Sequence, residues 1–351
     1  MKSTRFLQNL SVAAAVALLA ATNAAATPSH FNQKGDLLIA DQFNNRVIEI
    51  DGAGNIVWHF GLGPNDISVK SPIGVNDAQR VGANTLIAGT SAPAGTEPLC
   101  PNGCADNRVM LVNPAGRIIW QYGQFGVTGA GPNQLNTPVQ ATWTPNMTVL
   151  ISDQANQRII EVNLQKRIVW QYGMTGVAGS GPNQLNNPNS AELLENGNIL
   201  IADESNDRAI EVNRGKHIVA TFTAGGTTSG VAFASRLDNG DTLITDSNNN
   251  RAVEVNSSDA IVWQYATNTE TGSNPSPLPT RAIRTARNTT VISDQFNHRI
   301  IVVSATGQLL AEYGNLNVVG YGTSNASQGL NGPYDAKVIG DYTGLTPPFG
   351  F

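Results

Sequence analysis

The chain has 351 residues with 35 glycines and 18 prolines, and only 13% of it is charged. Its formal net charge of −5 argues against a nucleic-acid partner, which needs clustered Lys and Arg. A composition rich in turn formers and β-branched residues favours many short strands over long helices.

At the start, Lys2 and Arg5 precede the apolar run SVAAAVALLAA (11–21), and the segment ends in NAAA before Thr27. This pattern reads as a cleavable secretory signal, cut near Ala26, with small residues at Ala24 and Ala26. The run is shorter than the roughly 20 apolar residues a spanning helix needs, and no later stretch reads as transmembrane. Removing residues 1–26 takes away Lys2 and Arg5 and no acid, leaving 26 acidic against 19 basic residues and a net charge of −7. The expected product is secreted or periplasmic, a monomer, and a single domain over residues 27–351.

From residue 36 the chain repeats itself, which takes precedence over any local reading. The first unit holds the strand-like run DLLIA (36–40), the turn DQFNNR (41–46), and the outer run NIVWHFG (55–61). The second holds NTLIA (84–88) and RIIWQYG (117–123). Its turn is interrupted by SAPAGTEPLCPNGCAD (91–106) before ADNRVMLV (105–112). Here the Asp is missing from its usual place. Cys100 and Cys104 lie in that insertion, and an exported chain makes a local disulfide the expected state. The rival reading, a metal site, is poor with two thiolates and no nearby His.

Four more units follow, with turns beginning at Asp153, Asp203, Asp246 and Asp294. The shared element is D-x-x-N-x-R, carried by Asp41 and Arg46; Asp153, Asn156 and Arg158; Asp203 and Arg208; Asp246 and Arg251; and Asp294 and Arg299. Each unit ends in a Gly/Asn/Pro loop and one more short strand, as in GPNQLNTPVQATWT (131–144). Four strands per unit of about 40–60 residues is the spacing of a propeller blade. The last segment, LNGPYDAKVIGD (330–341), matches the start of a unit. It is expected to supply the inner strand of the first blade, closing the ring without an open edge. The fold class is therefore all-β: a six-bladed β-propeller of four-stranded antiparallel blades, closed by that pairing. Residues 27–33 and 342–351 are expected to be peripheral tails.

A strand ending in Asp, then x-x-Asn-x-Arg, then a strand, resembles the NHL-repeat family. So does the loop G-x-G-x-x-x-x-N-x-P. The resemblance spans about residues 34–341. It implies a propeller that serves as a scaffold for a protein, glycan or small ligand, or a hydrolase or lyase at the channel mouth, lactonase-like and metal-dependent. Calcium is the ion the enzymatic alternative would take; the scaffold reading needs no cofactor. The phrase G-x-I-I-W-Q-Y also looks like the repeat of aryl sulfotransferase-type propellers, whose chemistry would want His298 beside Arg281 or Arg284.

Six near-identical turns cannot all be one active site, so the D-x-x-N-x-R residues read as turn fasteners. The Glu residues at 49, 161, 211 and 254 read as solvated or paired with neighbouring blades. Trp58, Trp120, Trp170 and Trp263 read as packing between blades. Inner-strand positions that differ between units are free to serve function. They nominate Asn76, Gln140, Glu192, Arg281 and Asp335 as a channel-mouth ligand site, against a polar water-filled channel. The cysteine insertion is a second candidate, either a stiff binding flap or a tolerated surface insertion. The four His, at 30, 59, 217 and 298, do not fall into a zinc-binding pattern.

Overall fold

The computed structural model describes residues 30–64, 66–97, 99–321 and 329–350; the signal segment lies outside them. The strands form six four-stranded antiparallel sheets. Blade 1 consists of Leu37–Asp41, Arg46–Ile50 and Ile56–Phe60, with Pro333–Val338 as its inner strand. Blades 2 to 6 span residues 75–123, 138–172, 188–222, 231–266 and 281–314. Ala336 pairs with Ile39 and Lys337 with Leu38, so the closure expected from the repeat offset is the one observed.

Blade stacking explains the uninterrupted apolar runs. A middle strand such as Leu37–Asp41 or Ile199–Asp203 is buried along its whole length, because a neighbouring blade covers each face of the sheet. Alternation would leave polar groups in those layers. Between blades 2 and 3, for example, Leu86 and Val109 pack against Ala141, Val149 and Ile151. Each of the Leu, Val and Ile side chains contributes about 1.5–3 kcal/mol on burial.

The outer strands add polar ties. The indole Nε1 of Trp58, Trp120 and Trp170 donates to the carbonyls of Pro114, Leu164 and Arg214, each on the next blade. Glu49, Glu161, Glu211 and Glu254 pair with Arg80, Arg214, Arg236 and Arg284, again on the next blade.

The expectation of two peripheral tails is corrected. Phe31 is buried against Trp58 and the Arg80 guanidinium, and the Asn32 amide donates to Glu49 Oε1. Residues 342–347 run into the channel instead of lying outside it: Thr346 is 1% exposed. The apolar and hydroxyl side chains of both segments find partners in the ring that no repeat pattern announces.

Candidate ligand site at the channel mouth

The turn between the second and third strands builds one face of the ring. In blade 3, Asp153 Oδ2 accepts from Asn156 Nδ2 at 2.8 Å and Arg158 Nε at 2.8 Å, while Oδ1 accepts the Asn136 amide at 2.8 Å. The carboxylate thus joins its own turn to the loop leading into its inner strand. Burial raises the Asp153 carboxyl, and Arg158 opposes that rise. Asp41, Asp203, Asp246 and Asp294 make the same Asn and Arg bonds.

Blade 2 lacks Asp at its usual place, as its sequence shows, yet keeps the lock by a different route. Asp106 stands two residues before Arg108 and bonds its Nε, and its Oδ2 accepts the Ile73 amide at 2.8 Å. The usual Asp position is Gly89. A Cβ there would lie 2.2 Å from Asp106 Oδ2. The carboxylate has moved to the facing strand, and glycine leaves it room.

The residue just before each Arg closes the ring. Asn45, Asn107, Gln157, Asp207, Asn250 and His298 all have φ between +49° and +59°, a conformation that Asn and Asp tolerate best among residues with a Cβ. Each side chain accepts a backbone N–H from the next blade, at 2.6–3.2 Å, from Gly74, Thr137, Asn187, Gly230, Leu278 and Gly332. His298 is thereby a fastener: its Nδ1 accepts the Gly332 amide, and burial lowers its pKa. Arg284 is held by Glu254 and Asn288, and Arg281 is enclosed in the channel. The sulfotransferase-like trio is therefore committed elsewhere, member by member.

The five nominated inner-strand residues are all buried, but they occupy three levels. Asn76 lies at the mouth, where its Oδ1 accepts from Gln42 Nε2 at 2.9 Å. In blade 2, Val75 and not Pro72 occupies the leading position opposite Gly89, so Asn76 stands three places nearer the mouth than a strand counted from Pro72 would put it. The residues of blade 2 equivalent to Gln140 and Thr142 are Asp77 and Gln79.

One level below the mouth stand Arg281, Gln140, Asp335 and Asp77. The Arg281 guanidinium lies over the rings of Phe233 and Tyr334, each about 5.1 Å away, and donates to Asn189 Oδ1 at 3.1 Å. It also reaches the Val139 carbonyl of blade 3 at 3.5 Å, directly across the ring. Lys337 Nζ bonds Asp77 at 2.6 Å and Asp335 at 2.5 Å. Burial lifts the Asp77 carboxyl to about 7, against the pull of Lys337. Deepest, Glu192 accepts from Gln140 Nε2 at 2.8 Å and from Thr346. The channel is crossed by its own side chains.

The mouth itself is built from residues hidden inside the repeated motif. The first residues of the tight turns are Gln42, Gln154, Glu204, Ser247 and Gln295, and all but Ser247 bond across the mouth. Gln295 Nε2 donates to Gln42 Oε1 at 2.6 Å, continuing the chain that ends at Asn76. Opposite, Glu204 Oε2 accepts from Gln154 and Asn189, both at 3.0 Å. Asn189 reaches across to Tyr334 Oη at 2.9 Å. Burial raises the Glu204 carboxyl, with the Asn189 bond and Arg281 opposing. Beside Gln42 and Gln295, the half-buried Phe43 and Phe296 rings stack with centroids 6.5 Å apart. The available signal was the polar residue after each repeated Asp, masked by reading the whole motif as a fastener.

The expected disulfide is present: Cys100 and Cys104 are bonded. The insertion lengthens the blade 2 hairpin, with Ser91 facing Ala105 and Ala92 facing Cys104. Cys100 packs on Ile73 and Ala92, and Glu97 Oε2 accepts from Asn45, tying the flap to blade 1. Among the described residues no group of three His, Cys, Asp or Glu converges to hold a metal, and no helix is long and apolar enough to cross a membrane.

No family model and no curated protein matches the chain. Among solved structures, a protein of unknown function from Bacteroides caccae matches with a TM-score of 0.56 at 15% identity, covering 80% of this chain and 93% of that one. Virginiamycin B lyase from Staphylococcus aureus matches with a TM-score of 0.51 at 13% identity, covering 84% and 88%. A catalytically inactive variant of that lyase, with quinupristin, matches equally well over 82% and 86%. At such identities the likeness is one of fold, and this chain is a six-bladed β-propeller.

Proposed function

We propose that the protein is an exported binding propeller of NHL-like repeats that takes a neutral saccharide at the mouth on the turn face. The observation that carries this reading is the set of planar amides and one carboxylate converging there: Gln42, Gln295, Asn76, Gln154, Asn189 and Glu204, beside the Phe43–Phe296 stack. The glutamines use only part of their amides on one another and on Glu204, and the N–H and lone pairs left over on Gln42, Gln295 and Gln154 suit adjacent hydroxyls. Aromatic faces receive the C–H side of a sugar ring, and few but placed polar groups define orientation. The Glu204 carboxylate at the mouth disfavours anions, and the Arg281 charge below it is enclosed. Export is supported by the amino-terminal signal pattern and the formed disulfide.

The test is a glycan array followed by calorimetry on the best binder, using wild type, Glu204→Gln and a Phe43→Ala/Phe296→Ala pair. The reading expects binding by wild type and at least a ten-fold loss in the double variant. If no glycan binds, or if both variants bind like wild type, the assignment is wrong.

A further inference from the structure

On the far face, the channel is closed by residues 342–347. Thr346 donates twice to Glu192 Oε2, from its amide at 2.8 Å and its hydroxyl at 2.5 Å. Its hydroxyl also accepts the Leu193 amide at 2.8 Å, and its carbonyl accepts from Gln79 Nε2 at 3.0 Å. Every polar group of this one residue is therefore read by inner-strand groups of blades 2 and 4. Upstream, Tyr342 Oη donates to the Arg80 carbonyl at 2.9 Å, and Asp341 Oδ2 accepts the Ala286 amide. A groove of about 800 Å³ runs beside the segment, lined by Arg236, Leu237, Asp341, Tyr342, Leu345 and Pro347.

This is how a site treats a peptide. Main-chain groups of the guest are satisfied, one side chain is selected by a buried carboxylate, and open groove continues on the flank. The Pro-Pro that follows Thr346 keeps it extended, so little conformational freedom is lost on seating. The ring does not need the segment for its own closure, which is complete at Val338.

We infer that the far-face mouth is a peptide-binding site specific for an extended Thr-Pro segment, filled in cis by residues 342–347 and able to accept the same segment from a second copy of the chain. Glu192 and the Leu193 amide read the hydroxyl, while Glu192 and Gln79 read the Thr346 amide and carbonyl. The site is separate from the saccharide mouth, which lies at the other end of the channel.

The experiment uses the full chain carrying a protease-cleavage sequence between Asp341 and Tyr342, cut after folding. The probe is a fluorescent peptide of residues 342–351. Uncut protein should not bind it. Cut protein should exchange its tail for the probe saturably, and a probe carrying Thr346→Val should bind at least ten-fold more weakly. A cut protein that stays folded by circular dichroism but does not take up the probe overturns the inference, as does equal binding of the two probes. Should cutting unfold the protein, the uncut Thr346→Val chain decides. It should bind the wild-type probe, and failure to do so overturns the inference equally.

Discussion

Gly89→Asp puts two carboxylates into a buried space that holds one. The new Cβ would start 2.2 Å from Asp106 Oδ2, and both acids would compete for a single guanidinium, Arg108, that is fully buried. Leaving a buried charge uncompensated costs about 3–5 kcal/mol. Asp106→Asn alone should cost a similar amount, about 3–5 kcal/mol, because it strips Arg108 of its partner. Together the two substitutions restore the letters found at Asp153 and Asn156, with the carboxylate back on the usual strand. The double variant should therefore lie within about 1 kcal/mol of wild type, the size of an ordinary hydrogen-bond imperfection. Urea unfolding of the four proteins, followed by Trp fluorescence, gives the coupling directly. Independent sites add within roughly 0.3–0.5 kcal/mol. Additive losses of the two single changes would refute the claim that Asp106 performs the displaced role.

Other expectations concern charge and cross-linking. His298 accepts through a neutral Nδ1 and its folded pKa is lowered, so the unfolded chain binds more protons below about pH 6.5. Its share of stability is complete above that pH and is lost as pH falls toward the folded value; urea midpoints at pH 5 and 7.5 should differ less in His298→Asn than in wild type. Asp77 runs the other way. With its folded pKa raised to about 7, the native state holds more protons, so its contribution is present near pH 4 and falls as pH rises toward 7. Asp77→Asn should flatten that fall in the same measurement, and an unchanged slope would contradict the assignment. Replacing both Cys100 and Cys104 by Ala should lower the unfolding free energy by about 2 kcal/mol, the loop-closure value for so short a loop, and an unchanged midpoint would show that the flap adds nothing to the ring.

What the sequence made legible was whatever the ring repeats. The runs LLIA (37–40) and ILIA (199–202) are apolar throughout because a blade covers each side of them, and a run of this kind recurs in each of the six blades. Closure was legible because residues 330–341 begin a unit that the amino-terminal part lacks. Single events were not. The transfer of the carboxylate from position 89 to 106 depends on which strand faces which, and a gap in the motif looks the same whether the function is lost or moved. The seat of Thr346 depends on Glu192 and Gln79, more than 150 residues upstream, and TGLTPP carries no periodicity. His298 looked chemical by its type, although it fills the same place as Asn45 and Asn107. The mouth amides were hidden inside the motif: Gln42, Gln154, Glu204 and Gln295 follow the fastening Asp directly, yet point to the channel instead of into the turn.

Calorimetric titration of an array-selected oligosaccharide into wild type and into a Gln42→Ala/Gln295→Ala variant tests the saccharide mouth most directly. The account predicts saturable binding by wild type and loss of at least ten-fold in affinity when the two amides are removed, with the folded spectrum unchanged. Equal binding by both proteins, or the absence of any saccharide ligand for the wild type, would contradict it.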